Sequence, residues 1–358
     1  VWAPVQSPGG ARDDVAKALG VPPEQVTLHT TLLGGGFGRK SKCDFATEAA
    51  LMSKEMNGAP VKVVWTREDD IRGGWYRPMW LSRMRAALGA DGRPVAWAHT
   101  QVGQSIAAGS PFEAGMVKDG IDATSVEGAA DAPYLAAIPA HRVDLHSPRS
   151  PVTVLWWRSV GHSYTAFAVE SFIDELAHAA KQDPLAYRRA LLPEDARERR
   201  VLDLAAEKFG WGKPLPAGRA AGLAVHASFG SYVAQVAEVS LEGGAPRVHR
   251  VVCAIDCGPV VNPLTVEAQM QSGIVYGLSA ALHGAITFKD GRVEQSNFHD
   301  YPALRLDAMP VVEVHIVPST EKMGGVGEPG TPPIAPAVGN ALFALTGKRL
   351  RALPFKLA

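Results

Sequence analysis

One carboxylate stands almost alone among glycines and prolines: Glu328, in the run Gly-Gly-Val-Gly-Glu-Pro-Gly-Thr-Pro-Pro at 324–333. Surface turns ordinarily use Asp, Asn or Ser, whose short side chains bond to their own backbone, which Glu does poorly. A glutamate mounted this way, ahead of an apolar helical pattern, reads either as a neighbour of a helix cap or as a general base held against a reacting group. Arg158 poses a similar choice. It follows Trp156 and Trp157 and precedes Ser159-Val160-Gly161, so its guanidinium either stacks on core aromatics or fixes a buried anion with its rigid fork of donors. The glycine cluster Gly-Gly-Gly-Phe-Gly-Arg-Lys-Ser at 34–41 could bring backbone N–H groups close to a polar ligand. Arg39 breaks both the phosphate-loop spacing and the dinucleotide fingerprint, so a plain strand-to-helix turn is an equal reading.

Other chemistries find less support. Gly161-His162-Ser163-Tyr164 would need glycine at Thr165 to form a nucleophile elbow, which weakens a serine hydrolase reading. The histidines form no HxxxH or HxH pair, and Cys253 and Cys257 have no matching second pair, so no side-chain metal site is expected. Lys plus Arg balance Asp plus Glu at 36 each, which argues against a nucleic-acid partner. Three cysteines make no disulfide framework, and no apolar run reaches the ~18 residues of a membrane span. The opening Val-Trp-Ala-Pro-Val shows no signal peptide and is already apolar, so a fragment, a processed product or one subunit of a larger assembly is expected.

The elements that would carry these residues follow from periodicity and turn chemistry. Helices are expected at 13–20, 44–56, 165–182, from Pro184, at 264–282 and at 334–347. Strands are expected at 26–33, 61–66, 222–228, 233–241, 247–256 and 311–317. Asp91-Gly92 and Asp290-Gly291 mark hairpins, the first spanning 84–102, while 103–150 reads as mostly irregular. Helices and hairpins mix without regular βαβ alternation, so the fold class expected is α+β, in two lobes at 1–158 and 159–358.

Together the motifs resemble the molybdenum-binding large subunit of the xanthine oxidase family, and most nearly its isoquinoline 1-oxidoreductase beta-subunit, aldehyde dehydrogenase-like branch. Five segments carry the likeness: Gln6 in Ala-Pro-Val-Gln-Ser-Pro, GGGFGRK at 34–40, WWRSVGHS at 156–163, DCGPVVNP with EAQMQSG across 256–273, and GGVGEPGTPPIAPAVGNAL at 324–342. The resemblance implies a molybdopterin-binding fold of two lobes with mixed sheets and packed helices. It also implies that Gln6, with Gly35, Gly36, Phe37, Gly38 and Arg39, would contact the molybdenum centre and pterin. Arg158, Gln269, Gly258, Asn262 and Gly327 would hold the rest of the cofactor, in its cytosine dinucleotide form. Trp157, Val160 and Phe229 would line a substrate funnel, and Glu328 would be the base that takes a proton from a hydroxyl at the metal. Oxygen would come from water, and electrons would leave through [2Fe-2S] clusters on a small partner subunit.

Several departures limit what carries over. Arg39 replaces a usual glycine, Arg-Ser-Val-Gly replaces Arg-Gly-Phe-Gly, and Ser41 stands where purine-oxidising members carry a substrate-binding glutamate. The family's Met-Gly-Gln-Gly segment is missing. The resemblance therefore implies that this chain is the C-terminal half of a large subunit, with the N-terminal half as a partner. An aldehyde or an N-heterocycle is the small-molecule substrate it suggests, and a bacterial periplasmic or cytoplasmic setting is left open. The competing reading is a non-catalytic binding or assembly protein that keeps the fold.

Overall fold

The computed structural model describes residues 1–110 and 112–357. They gather into two compact units. The first comprises Val1–Pro78, Arg149–Arg158 and Thr287–Asn297, and the second Met79–Pro148, Ser159–Ile286 and the chain from Phe298 onward.

In the first unit the helix Pro8–Leu19 starts with proline in its first turn, where a missing N–H costs nothing, and stops at Gly20 with φ 73°. The helix expected at 13–20 thus begins earlier. It packs on the Asp44–Glu55 helix around Val5, Ala11, Val15, Cys43 and Ala46. Only His29–Thr30 of the strand expected at 26–33 is paired, in parallel with Trp2–Ala3. No strand forms at 61–66. Among the described residues nothing pairs with it, Val64 is 74% exposed, and Thr66 instead opens the Arg67–Arg72 helix through a reciprocal capping box with Asp69. An alternating apolar pattern needs a partner strand and a core face, and this segment has no partner among the described residues. The hairpin at Asp290-Gly291 forms as expected, Phe288–Lys289 pairing with Arg292–Val293.

The second unit is built on a four-stranded sheet in the order Val311–Ile316, Ala245–Asp256, Ser231–Glu242, Ala220–Ser228, the first pair parallel and the others antiparallel. Both faces are covered, which is why the strands read as nearly continuous apolar runs. Val251, Cys253 and Ile255 pack with the Pro263–Leu282 and Ile334–Thr346 helices, while Val252 and Ala254 face the side of Val201, Leu202 and Ile173. Cys253 is one of these core residues, and burial pushes its thiol up to about 12. A smaller sheet pairs Trp80–Leu88 with Pro94–Gly103 as the expected hairpin. Ala140–His146, from the stretch expected to be irregular, adds to it in parallel. The helix Arg197–Phe209 was not anticipated, although Val201, Leu202, Ala205 and Phe209 mark one apolar face at helical spacing.

Candidate functional site

In the first unit Gln6 is held at both ends. Its backbone N–H donates to the Lys40 carbonyl at 2.9 Å, and its Oε1 accepts from the Gly38 N–H at 3.1 Å. The glycine loop owes its shape to these contacts. A Cβ on Gly36 would collide with the Gln6 side chain, and one on Gly38 would collide with the Trp156 carbonyl. Gly34, Gly35 and Gly38 all have positive φ, and so does Phe37, at 51°. Arg39 is turned to the structure of the unit. Its guanidinium bonds both oxygens of Asp44 at 3.0–3.1 Å and lies over the Trp65 ring. Arg158 is 6% exposed, with its guanidinium 5.8 Å from the centre of the Phe37 ring, and Trp157 faces Arg77.

In the second unit Glu328 is half-buried on a loop gripped from two sides. Ahead of it, the Gly325 N–H donates to the Phe229 carbonyl at 2.8 Å and the Gly325 carbonyl accepts from Ser231 Oγ at 2.7 Å. Behind it, the Thr331 N–H closes a turn on the Glu328 carbonyl at 2.9 Å, and Gln235 Nε2 donates to the Gly330 carbonyl at 2.8 Å. Gly273 of the Pro263–Leu282 helix lets Gly330 approach so closely that its own Cβ would lie 3.1 Å from Gly330. Pro329 within this turn and Pro332 just after it remove backbone alternatives, so the glutamate sits on a mount with little freedom.

Gly258, with φ 73°, packs against the carbonyls of Glu321 and Lys322 at the entry to the same loop. Its N–H donates to Asp256 Oδ1 at 3.1 Å, and Arg197 clamps that carboxylate at 2.6 Å. Burial pushes the Asp256 carboxyl up, but the bonds from Arg197 and Gly258 outweigh it and hold it below the usual range. An open cleft of about 660 Å³ lies here, lined by Gly258, Val260, Pro263, Ser319 and Arg200. Asn262 caps the Pro263–Leu282 helix by accepting from the Leu264 N–H at 3.0 Å, and Gln269 sits half-buried further along that helix. Asp256, which opens the DCGPVVNP motif, ends a strand expected from the sequence, whereas Arg197 and Arg200 come from the Arg197–Phe209 helix, which the periodicity reading did not anticipate.

Four of the non-glycine residues with positive φ fall on the segments singled out above: Phe37, Ser159, Val160 and Phe229, at 51°, 75°, 49° and 54°. For β-branched Val160 this is a genuine outlier, and such strain concentrates where a surrounding structure enforces it for function. Beneath Val160 and Phe229 lies a polar cluster with no signal in the sequence. His162 Nδ1 and His226 Nε2 are 2.8 Å apart, and the Gly161 N–H donates to Glu127 Oε1 at 2.9 Å. His162 Nε2 is 3.7 Å from Glu127 Oε2, and Phe229 packs edge-on to the His162 ring.

Relatives of the chain agree with the motif reading. A family model described as "Molybdopterin cofactor-binding domain" matches residues 1–192, and a second with the same description matches 163–310. This chain belongs to the molybdopterin-binding xanthine oxidase family. It is 36% identical to the isoquinoline 1-oxidoreductase subunit beta of Brevundimonas diminuta across 100% of its own length and 46% of that protein. It is 34% identical to a membrane-bound aldehyde dehydrogenase of Gluconacetobacter polyoxogenes over 96% of its length and 48% of that protein. The chain therefore spans about half the length of these curated relatives. Quinoline 2-oxidoreductase from Pseudomonas putida 86 shares the fold with a TM-score of 0.83 at 14% identity, covering 99% of this chain and 70% of that one. Aldehyde oxidoreductase from Desulfovibrio desulfuricans does so with a TM-score of 0.79 at 15% identity, over 95% of this chain and 55% of that one. The α+β class expected from the sequence is the class observed. No helix among the described residues is long and apolar enough to cross a membrane.

Proposed function

We propose that this chain is part of a molybdenum hydroxylase that oxidises an aldehyde or an N-heteroaromatic C–H with water as the oxygen source. The observation that carries the reading is the mount of Glu328: a half-buried carboxylate on a Gly/Pro loop gripped by Phe229, Ser231 and Gln235. A purely structural turn needs no carboxylate there.

The residues present suit a molybdopterin group. The glycine loop at 34–38 offers close backbone approach beside the Gln6 amide, and Arg158 supplies a buried cation next to it. The Gly258–Asn262 segment and the first turn of the Pro263–Leu282 helix offer N–H groups and a dipole suited to phosphate, with Arg200 on the neighbouring cleft. A cytosine dinucleotide form is the variant proposed, with Gln269 and Gly327 as further contacts. When bound, the group supplies the metal-centred oxidation and passes the electrons onward, here to [2Fe-2S] clusters on a small partner subunit. An N-terminal half of the large subunit would supply the missing Met-Gly-Gln-Gly segment.

The tasks of the chain's own residues follow. Glu328 takes and holds the proton released as water-derived oxygen is delivered, and its rigid mount keeps the carboxylate from relaxing away between turnovers. In the second unit Val160 and Phe229 present apolar surface to a planar aromatic substrate and exclude water from it, and Trp157 of the first unit is proposed separately as a substrate contact. Ser41 in place of an acidic residue leaves a purine without an anchor.

The test is Glu328→Gln in the intact complex. Molybdenum and the cytosine dinucleotide should be retained while turnover of benzaldehyde or isoquinoline falls by about 10²–10⁴-fold. Undiminished turnover with bound molybdenum would remove Glu328 as the base. An intact complex devoid of molybdenum would instead favour a non-catalytic binding or assembly role.

A further inference from the structure

One stretch of the first unit carries the pattern of a strand without belonging to any sheet. From Val61 to Trp65 it reads Val-Lys-Val-Val-Trp, and every residue but the lysine is of a type that suits a pleated, half-buried surface. Burial alternates with a period of two: Val61, Val63 and Trp65 are half-buried, while Lys62, Val64 and Thr66 are exposed. The inner face is anchored at Trp65. Its Nε1 donates to Glu48 Oε2 at 2.8 Å on the Asp44–Glu55 helix, and its ring lies under the Arg39 guanidinium. Both ends are fastened, the Ala59 N–H donating to the Met56 carbonyl at 3.2 Å and the Thr66 N–H to Asp69 Oδ2 at 3.0 Å. Between them, no backbone N–H or carbonyl of Val61–Trp65 has a hydrogen-bond partner among the described residues.

A linker exposed to water has no need of this composition. A run of unpaired backbone groups on an apolar, alternating segment is a template for another strand, and proteins ordinarily blunt such an edge with charges, prolines or a cover. Here Pro60 lies ahead of the run, and Lys62 is its single charge. The strands among the described residues are all paired with one another, so none is left over to fill the gap. The adjoining surface is apolar as well. Glu48, Met52 and Met56 follow at four-residue spacing, so the helix stripe that reaches Trp65 continues into two methionines, 53% and 57% exposed. Leu51 beside them and Val64 on the outer face of the segment are exposed too. Methionines adapt readily to whatever surface meets them.

We propose that Val61–Trp65 is an open strand position, filled by a β-strand from the other half of the large subunit, whose apolar side chains also cover Met52 and Met56. The occupant follows from length. This chain spans 46% and 48% of two relatives that it matches over nearly its whole extent, so more than half of each lies outside the match and can supply a strand. Strand addition of this kind draws affinity from main-chain hydrogen bonds and register from alternate side chains. The identity of the partner rests on the function proposed above, in which the other half completes the site; the bare edge does not.

Two measurements on the assembled complex, purified with its natural partners, test this. The first is hydrogen exchange of the amides from Val61 to Trp65, read by mass spectrometry with fragmentation against a synthetic peptide of residues 59–67. Successive N–H groups of a strand point to opposite edges. One alternate set, either Val61, Val63 and Trp65 or Lys62 and Val64, should therefore exchange more than about tenfold slower than in the peptide. A smaller slowing in both sets would overturn the open strand position. The second is photo-cross-linking from a benzophenone-bearing residue placed at Met52, which should capture a peptide of the other half. Capture only of a second copy of this chain or of an iron–sulfur subunit, or no capture, would overturn the occupant. Molybdenum is measured on the same sample. Fast exchange in a complex that holds both molybdenum and the other half would overturn this inference and leave the function standing. Slow exchange and the expected cross-link without molybdenum would uphold the strand and overturn the function. A complex that lacks the other half altogether would overturn both.

Discussion

Two buried polar clusters lie in the second unit, one around Arg188 and one around Glu127, and they are built on opposite terms. Arg188 is wholly buried and fully matched. Its Nε donates to Glu170 Oε2 at 2.9 Å, Nη2 to the Glu170 carbonyl at 2.8 Å and Nη1 to the Pro184 carbonyl at 3.2 Å. Glu170 also accepts from Tyr134 Oη at 2.6 Å and from the Val225 N–H at 3.1 Å. Burial alone would lower Arg188, but Glu170, Tyr134 and Asp174 overcome it and the guanidinium stays charged across any working pH. Glu127 is only partly buried, its side chain 25% exposed, and Asp131 and Asp122 add to the burial that raises it, with the neutral His162 imidazole 3.7 Å away. A buried charge with its counter-charge makes a permanent strut, whereas a partly buried acid among acids keeps its proton until the pH removes it.

The sharpest way to break this contrast is Arg188→Ala. It leaves the Glu170 carboxyl in the core without its counter-charge, held only by Tyr134 and the Val225 N–H, and should lower unfolding stability by about 3–5 kcal/mol, with little dependence on pH between 6 and 8. Denaturant midpoints at both pH values would check it, and a loss as small as that of a surface mutation would show that the strut is not needed. A smaller effect, about 1–3 kcal/mol, is expected for His226→Phe, which strands His162 Nδ1 without a partner. This variant also tests a sign. The fold holds both imidazoles neutral, so their contribution is present above about 6.5 and is lost as the pH falls toward 4, and that acid loss should be shallower without His226. The smallest effect is expected of Glu127→Gln. A carboxyl raised from 4.5 to about 7 contributes stability that is lost as the pH rises through that window, so the variant should remove a decline between pH 5 and 7. Denaturant titrations at half-unit intervals would resolve the two opposing slopes.

The parts of the candidate site legible in the sequence were those made of neighbouring residues. Glu328 stood out because its Gly and Pro neighbours are wrong for an ordinary turn, and Gln6, GGGFGRK and Arg158 because their order matched a family pattern. The long elements were equally plain: the Pro263–Leu282 and Ile334–Thr346 helices and the three antiparallel strands of the main sheet lie within two residues of their expected bounds at either end. The strand expected at 61–66 failed because alternation describes a face but not a partner. Ala140–His146 was missed for the converse reason, its place secured by the parallel neighbour Pro94–Gly103 rather than by its own weak pattern.

What the sequence determined by itself, then, is local and chemical: backbone freedom where glycines cluster, stiffness where prolines follow Glu328, and the apolar periods that build a sheet covered on both faces. Only the tertiary structure decided which distant groups share one environment. Glu127, His162 and His226 come from a loop, a helix and a strand, 34 residues separating Glu127 from Gly161 and 64 separating the two histidines. Nothing in their spacing records that meeting. Desolvation and hydrogen bonding depend on what surrounds a group in space, so the proton affinity of Glu127 and the restraint on Val160 came into being only when the chain folded.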